Sequence, residues 1–326
     1  MKPKAVIYKK IPESVLSVIK ESCDVSYYEN LQDYSDPEFL EDLKDAQGLM
    51  GSSLPITKEL LDHAPMLKIV CNISVGYNNF DIEELSKRGI MATNTPDVLT
   101  DTTADLLFGL ILSAARRIAE LDSFVKEGRW NKLIGEDCFG VDVHHKTLGI
   151  IGMGRIGSAI AKRAHLGFDM DILYHNRTNN EAAETLYRAQ KCELDELLAK
   201  SDFVCLMTPL SAETKHLIGL REFKQMKKSA VFINGSRGET VNEDDMIEAL
   251  SSRIIAGAGL DVYTQEPINP DNRLLKLKNI VTLPHIGSAT SETRTKMAVL
   301  AAKNLVNGLT GKTPPSIINP IILHTR

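Results

Sequence analysis

A parallel α/β chain of two domains is what this sequence predicts, and three observations carry the expectation. Short apolar runs of strand length alternate with helical patterns along almost all of the 326 residues. A second such series opens afresh at Thr147, after a long apolar helical stretch. The length matches two ordinary domains. No low-complexity tract or short tandem repeat interrupts the alternation.

In chain order, the first series has expected strands AVIY (5–8), GLMG (48–51), LKIVCN (67–72) and IMATN (90–94). Helical patterns fall between them at 13–22, 37–44, 57–64 and 82–88. Then comes TTADLLFGLILSAARRI (102–118), apolar on nearly every face, which calls for burial on several sides, between domains or between subunits. The second series has expected strands at 147–151, 171–175, 202–206, 230–234, 255–260 and 279–283. A last helix, 291–309, and the tail PPSIINP follow after this series has ended, so they are expected to pack back on the first domain.

Composition narrows the function. With 43% hydrophobic and 25% charged residues the chain has ample core, and a net charge of −5 with pI near 5.9 argues against nucleic acid or an anionic membrane as partner. No apolar run has the length to cross a bilayer, and the apolar segment after Met1 is too short for a signal peptide. Cys23, Cys71, Cys138, Cys192 and Cys205 are dispersed without C-x-x-C spacing, as expected of reduced thiols in the cytoplasm. The adjacent His144 and His145 would face opposite ways on a strand and have no evident third ligand, so no metal site is expected.

The strand TLGII runs into GMGRIGSAIAKRAH, which sets Gly152, Gly154 and Gly157 in G-x-G-x-x-G spacing between a strand and a helix. Gly152 permits the tight turn, Gly154 lets the backbone approach a pyrophosphate, and Gly157 allows close helix–strand packing. Free amides at Arg155 and Ile156 and the helix dipole favour the phosphate charge. The next strand ends LYHNRT, with Asn176, Arg177 and Thr178 where an NAD site carries Asp or Glu. Losing that carboxylate and gaining a guanidinium suits a 2′-phosphate, so NADP(H) is favoured, with NAD(H) possible. The plainer reading keeps Arg177 as a solvated loop residue of an indifferent enzyme.

Three further strand ends carry reactive side chains. They are FINGSRGETV with Arg237, AGLDVYTQEP with Asp261 and Glu266, and LPHIGSAT with His285. Ligands of open α/β sheets bind beyond the carboxyl ends of strands, where the three could converge. A 2-oxo acid needs a cation for its carboxylate, polarisation of its carbonyl, and a proton as hydride arrives. Arg237 supplies the first two, and protonated His285 the third, with Glu266 favouring the imidazolium. Singly, each has an ordinary reading as a surface ion pair, a turn acid or a loop histidine; their placement after successive strands argues for the joint one.

GMGRIG, NGSRGETV, GLDVYTQEP and LPHIGSAT, in that order, resemble the D-isomer-specific 2-hydroxyacid dehydrogenases over about residues 5–320. The likeness is greatest to bacterial glyoxylate/hydroxypyruvate reductases that also act as 2-ketogluconate reductases. It implies a Rossmann domain inserted in a discontinuous flavodoxin-like substrate domain: 1–99, then 100–287 for the nucleotide, then 288–326 returning. It also implies that Arg237 binds substrate, His285 donates the proton with Glu266 as its partner, and Asp261 holds the nicotinamide carboxamide. Backbone amides at Val75 and Gly76 would meet the substrate carboxylate, and the small residues of VCNISVGYNNFD leave that backbone accessible to an anion. Thr208 and Ser236 are further expected cofactor contacts, and Ser288 a further substrate contact. A homodimer is expected.

Two departures from the family pattern are Asn78 in NN, where Asp-Asn is frequent, and Thr103, where valine is common. Alternatives remain open: an NAD-dependent D-2-hydroxyacid or phosphoglycerate dehydrogenase, or a nucleotide-sensing binding protein of the same fold. Formate dehydrogenases have Gln in place of Glu266, so that residue speaks against them.

Overall fold

The computed structural model describes residues 1–31 and 35–324. They form two compact units, Met1–Leu99 with Ala289–Arg326, and Thr100–Ser288.

The first unit begins with β1 (Lys4–Ile7), α1 (Glu13–Ser22), β2 (Asp24–Tyr27), α2 (Pro37–Leu43) and β3 (Gly48–Gly51). It continues with α3 (Lys58–Asp62), β4 (Ile69–Asn72), α4 (Ile82–Lys87) and β5 (Met91–Thr93). The strands pair in parallel in the order β2-β1-β3-β4-β5, which is the flavodoxin-like order. Strands β3, β4 and β5 are buried along their whole length, as a parallel sheet covered on both faces requires. Local chemistry starts the helices. The Asp36 carboxylate accepts from the amides of Glu38 and Phe39, and Pro37 has no N–H to leave unpaired. Strand β2 has no counterpart among the expected elements; DVSY lies at the sheet edge with none of its residues buried, so it lacks the apolar signal of an inner strand.

The second unit opens with α5 (Thr100–Ala115) and α6 (Ile118–Lys126). Then follow β6 (Thr147–Ile151), α7 (Arg155–Phe168), β7 (Asp171–His175), α8 (Glu181–Tyr187), β8 (Gln190–Lys191) and α9 (Leu194–Lys200). The rest is β9 (Phe203–Leu206), α10 (Leu220–Gln225), β10 (Val231–Asn234), α11 (Glu243–Ser251), β11 (Gly257–Leu260) and β12 (Ile280–Thr282). The parallel sheet runs β12-β11-β10-β9-β6-β7-β8, so the order of winding reverses at β6, between β7 and β9. That reversal is where a Rossmann sheet opens its ligand crevice.

The apolar stretch expected over 102–118 is shorter and earlier than expected, because Arg117 adopts a left-handed φ of 55° and breaks the chain into α6. Within its own unit α5 buries Ala104, Leu107, Leu110 and Ile111 and lies against β10, β11 and α7, while Asp101, Asp105 and Gly109 stay exposed. His144 and His145 lie in a turn, not on a strand, with their rings edge to face at 5.0 Å.

The final helix, α12 (Ser291–Leu309), belongs to the first unit and lies on β3 and β4. Glycine permits that approach: a Cβ on Gly308 would stand 2.5 Å from Ile69 Cδ1, and one on Gly48 2.6 Å from Leu305 Cδ1. Beyond it, buried Asn319 accepts from the Ala92 amide at 2.9 Å and donates to the Ile90 carbonyl at 3.0 Å, stitching the tail to β5. Among the described residues no helix is long and apolar enough to cross a membrane.

Candidate active site

At the reversal point β6 delivers the chain into the glycine loop. Gly152 has φ of 100°, and a Cβ there would stand 2.8 Å from the Met207 carbonyl carbon and 2.9 Å from the Thr208 nitrogen, so only glycine fits. A Cβ on Gly157 would stand 2.4 Å from the Gly152 carbonyl oxygen, which makes it the close-packing glycine of the motif. Around Gly154, by contrast, the added atom would meet nothing within 4 Å. Gly154 is the N-cap of α7 and no side chain caps that helix, so the Ile156 and Gly157 amides have no intrahelical acceptor. Beside the loop, the Thr208 hydroxyl is a buried polar atom without a hydrogen-bond partner. An accessible backbone, a positive helix end and an orphaned hydroxyl fit a dinucleotide phosphate.

Next to the glycine loop lies the loop after β7. Asn176, Arg177 and Thr178 follow His175, with Arg177 and Thr178 exposed and Asn176 donating to the Thr178 carbonyl at 3.1 Å. Asn180 ties this loop to the glycine loop: its amide donates to the Met153 carbonyl at 2.9 Å and to Ser158 Oγ at 3.0 Å, while its oxygen caps α8. In the sequence the only signal of Asn180 is an Asn just before a helix.

The reactive side chains sit at the carboxyl ends of β10, β11 and β12. His285 Nδ1 and Glu266 Oε2 are 2.6 Å apart, and the other Glu266 oxygen accepts from the Tyr263 amide at 3.0 Å. Burial alone would raise the Glu266 carboxyl; the bonds from His285 and Tyr263 and the charges of His285 and Arg237 outweigh it and hold the group below its ordinary range. Burial lowers the Arg237 guanidinium, opposed by the Glu266 and Glu239 carboxylates, and arginine remains a cation throughout. Arg237 Nη1 donates to the Ser236 carbonyl at 2.7 Å, and Asn234 Nδ2 donates to the Arg237 carbonyl at 3.0 Å.

Two of the expected cofactor contacts are engaged within the protein. Asp261 is 3% exposed, and its two oxygens accept from the Ile286 and Gly287 amides, each at 2.8 Å, so it clamps the turn that carries His285. Burial pushes its carboxyl up, against those two bonds. The Ser236 hydroxyl accepts from the Arg237 amide at 2.6 Å and lies 3.2 Å from Thr240 Oγ1. Ser288 follows the clamped turn, half-buried, and Thr103 packs its methyl 3.2 Å from where a Cβ on Gly287 would stand.

Gly238 and Tyr263 carry no reactive group that marks them in the sequence, yet they join the two strand ends. A Cβ on Gly238 would fall 1.9 Å from the Tyr263 carbonyl carbon, so the turn carrying Arg237 lies directly against the turn carrying Glu266. Tyr263 Oη then donates to the Leu283 carbonyl at 3.0 Å, reaching the stretch before His285.

In the first unit, Val75 and Gly76 follow β4. Their carbonyls are taken by side-chain amides, Val75 by Asn94 at 2.8 Å and Gly76 by Asn72 at 2.7 Å. Among the described residues their own N–H groups donate to no protein acceptor, which leaves two adjacent amides for an anion. Asn79 is structural here, donating to the Leu54 carbonyl at 2.9 Å and accepting from Asn72 at 3.1 Å.

Comparison with known proteins agrees with this geometry. Residues 108–287 match the family model for the NAD-binding domain of the D-isomer specific 2-hydroxyacid dehydrogenases. Over 325 residues, and the full length of both chains, the sequence is 49% identical to glyoxylate/hydroxypyruvate reductase B of Yersinia pestis bv. Antiqua. Among solved structures, a protein of Thermus thermophilus superposes with a TM-score of 0.89 at 38% identity, covering 97% of this chain and 99% of that one. The NADPH-dependent glyoxylate/hydroxypyruvate reductase of Sinorhizobium meliloti, solved with NADP and malonate, gives 0.87 at 31% identity, covering 98% and 97%. A nicotinamide dinucleotide site and a histidine–glutamate pair at neighbouring strand ends, in a chain alike over its whole length, make this protein a member of the D-isomer specific 2-hydroxyacid dehydrogenase family.

Proposed function

We propose that the protein reduces a 2-oxo acid to the D-2-hydroxy acid with NADPH, acting on glyoxylate, hydroxypyruvate or 2-keto-D-gluconate. The observation that carries this reading is the 2.6 Å His285–Glu266 pair beside the Arg237 cation. When bound, the reduced nicotinamide supplies the hydride. Arg237 binds the substrate carboxylate and draws electron density from the carbonyl. Protonated His285 gives its proton to the carbonyl oxygen from Nε2, since Nδ1 faces Glu266; in the reverse direction neutral His285 takes the hydroxyl proton. Glu266 fixes the ring with Nδ1 toward its carboxylate, which leaves Nε2 for the substrate. Ser288 is assigned a substrate contact, and the Val75 and Gly76 amides the substrate carboxylate.

Preference for NADP over NAD is supported by Asn176-Arg177-Thr178, where no carboxylate stands to repel a 2′-phosphate. A homodimer is supported by α6, which buries none of its residues, and by the exposure of Trp130 (62%), Leu133 (93%), Ile134 (61%) and Phe139 (60%). A cytoplasmic location is supported by five free cysteines. The direct test is a panel of 2-oxo acids assayed with NADPH and with NADH by following cofactor oxidation. Turnover of glyoxylate or hydroxypyruvate, faster with NADPH, is expected; no turnover of any 2-oxo acid would overturn the reading and favour a nucleotide-sensing role.

A further inference from the structure

We infer that Lys191 is a second determinant for the 2′-phosphate, acting from the neighbouring strand; the inference rests on the NADP reading above. Lys191 ends β8, a two-residue edge strand in which it stands opposite Tyr174 of β7. A lysine on an edge strand ordinarily points to solvent and discourages pairing with another chain. Here the side chain turns back over the β7 loop. Its Nζ lies 3.0 Å from Asn179 Oδ1 and 3.5 Å from the Arg177 carbonyl, so it hovers over the segment expected to hold the adenosine ribose.

Both of those acceptors are neutral. Among the described residues no carboxylate stands within ion-pair distance of Lys191 or of Arg177. Glu213 senses the Arg177 charge, but its carboxylate is bonded by the Ser211 hydroxyl at 2.6 Å. Two cations therefore serve one exposed loop, with Glu213 nearby but no carboxylate among the described residues in ion-pair contact with either, which leaves the loop open to an anion. The charge count agrees: a phosphomonoester at neutral pH carries about −1.5 to −2 and three acceptor oxygens. Arg177 offers one positive charge and a fork for two oxygens. An ammonium with three rotatable donors, reaching in from β8, supplies the second charge and addresses the third oxygen. The Asn180 bonds to Met153 and Ser158 hold this loop in register with the glycine loop, so one ligand can engage both.

The test is titration calorimetry of the full chain with 2′,5′-ADP and with 5′-AMP, which read the 2′-phosphate without turnover. The wild type should bind 2′,5′-ADP more tightly. Lys191→Met should weaken 2′,5′-ADP by about tenfold, the size of a lost charge-assisted bond, and leave 5′-AMP within about twofold. Lys191→Arg should recover most of the loss, and added salt should weaken 2′,5′-ADP more steeply for the wild type than for Lys191→Met. A wild type indifferent to the 2′-phosphate would overturn the NADP reading itself. A wild type that discriminates, with Lys191→Met discriminating equally well, would overturn only the role of Lys191. Equal loss of both ligands in Lys191→Met would assign the residue to loop structure and overturn the inference too.

Discussion

His285 adopts a φ of 53°, left-handed backbone that is uncommon outside glycine, at a cost of roughly 1–3 kcal/mol. It is held there from both sides, by the Asp261 clamp on the next two amides and by the Glu266 bond to its ring. Replacing His285 with Ala should lower reductive kcat/KM by about 10²–10⁴-fold while NADPH binding by fluorescence persists, and near-normal kcat would refute its role as proton donor. Arg237→Lys keeps the charge but loses the fork, so a loss of about 10²-fold with a raised KM is expected from steady-state kinetics. Glu266→Gln removes the carboxylate that orients the His285 ring, so reductive kcat should fall by about tenfold or more in steady-state kinetics while the KM for NADPH changes little. Glu266 also links to stability, with a definite sign. Its folded pKa lies below the ordinary 4.5, so its contribution is complete above that value and is lost as pH falls through the lower folded one. The Glu266 side chain is 35% exposed, which moderates the effect. The Tm gap between wild type and Glu266→Gln should therefore shrink between about pH 6 and pH 3; a gap that widened on acidification would contradict the pairing.

At the scale of elements, the site depends on close approaches between turns more than on the strands that deliver them. Gly238 shows this most sharply, since any side chain there meets the Tyr263 backbone. Gly238→Ala should cost about 1–3 kcal/mol by overpacking and depress kcat more than cofactor affinity, because it separates Arg237 from the Glu266 turn and leaves the glycine loop alone. Calorimetric melting and kinetics on one preparation would test both halves. This is also where legibility ended. The inner strands announced themselves as apolar runs, and the G-x-G-x-x-G spacing named its own turn, because both signals are local. Edge strands β2 and β8, with no buried residue between them, carry no such signal. The short helices α8, α9 and α10 span only six or seven residues each, too few turns for a helical period to stand out. Arg237, Glu266 and His285 could be named from residue type and strand-end position. That Asp261 would spend its carboxylate on the His285 turn could not, since the contact spans 25 residues and is made to backbone.

At the scale of the whole molecule, the exposed apolar run from α6 to Phe139 predicts association. Light scattering should give twice the 36.0 kDa chain mass, and a monomer at assay concentration would count against the dimer. The return of α12 to the first unit has a different consequence, one set in time. The second unit is continuous from Thr100 to Ser288 and can close once its own residues have left the ribosome. The first unit must wait for the chain from Ala289 onward, because Ile69 and Gly48 on its sheet are covered by α12. At ~5–20 residues per second that delay, spanning Thr100–Ser288, is on the order of 10–40 s. During that interval an apolar sheet face made early stays bare while a domain made later is already finished.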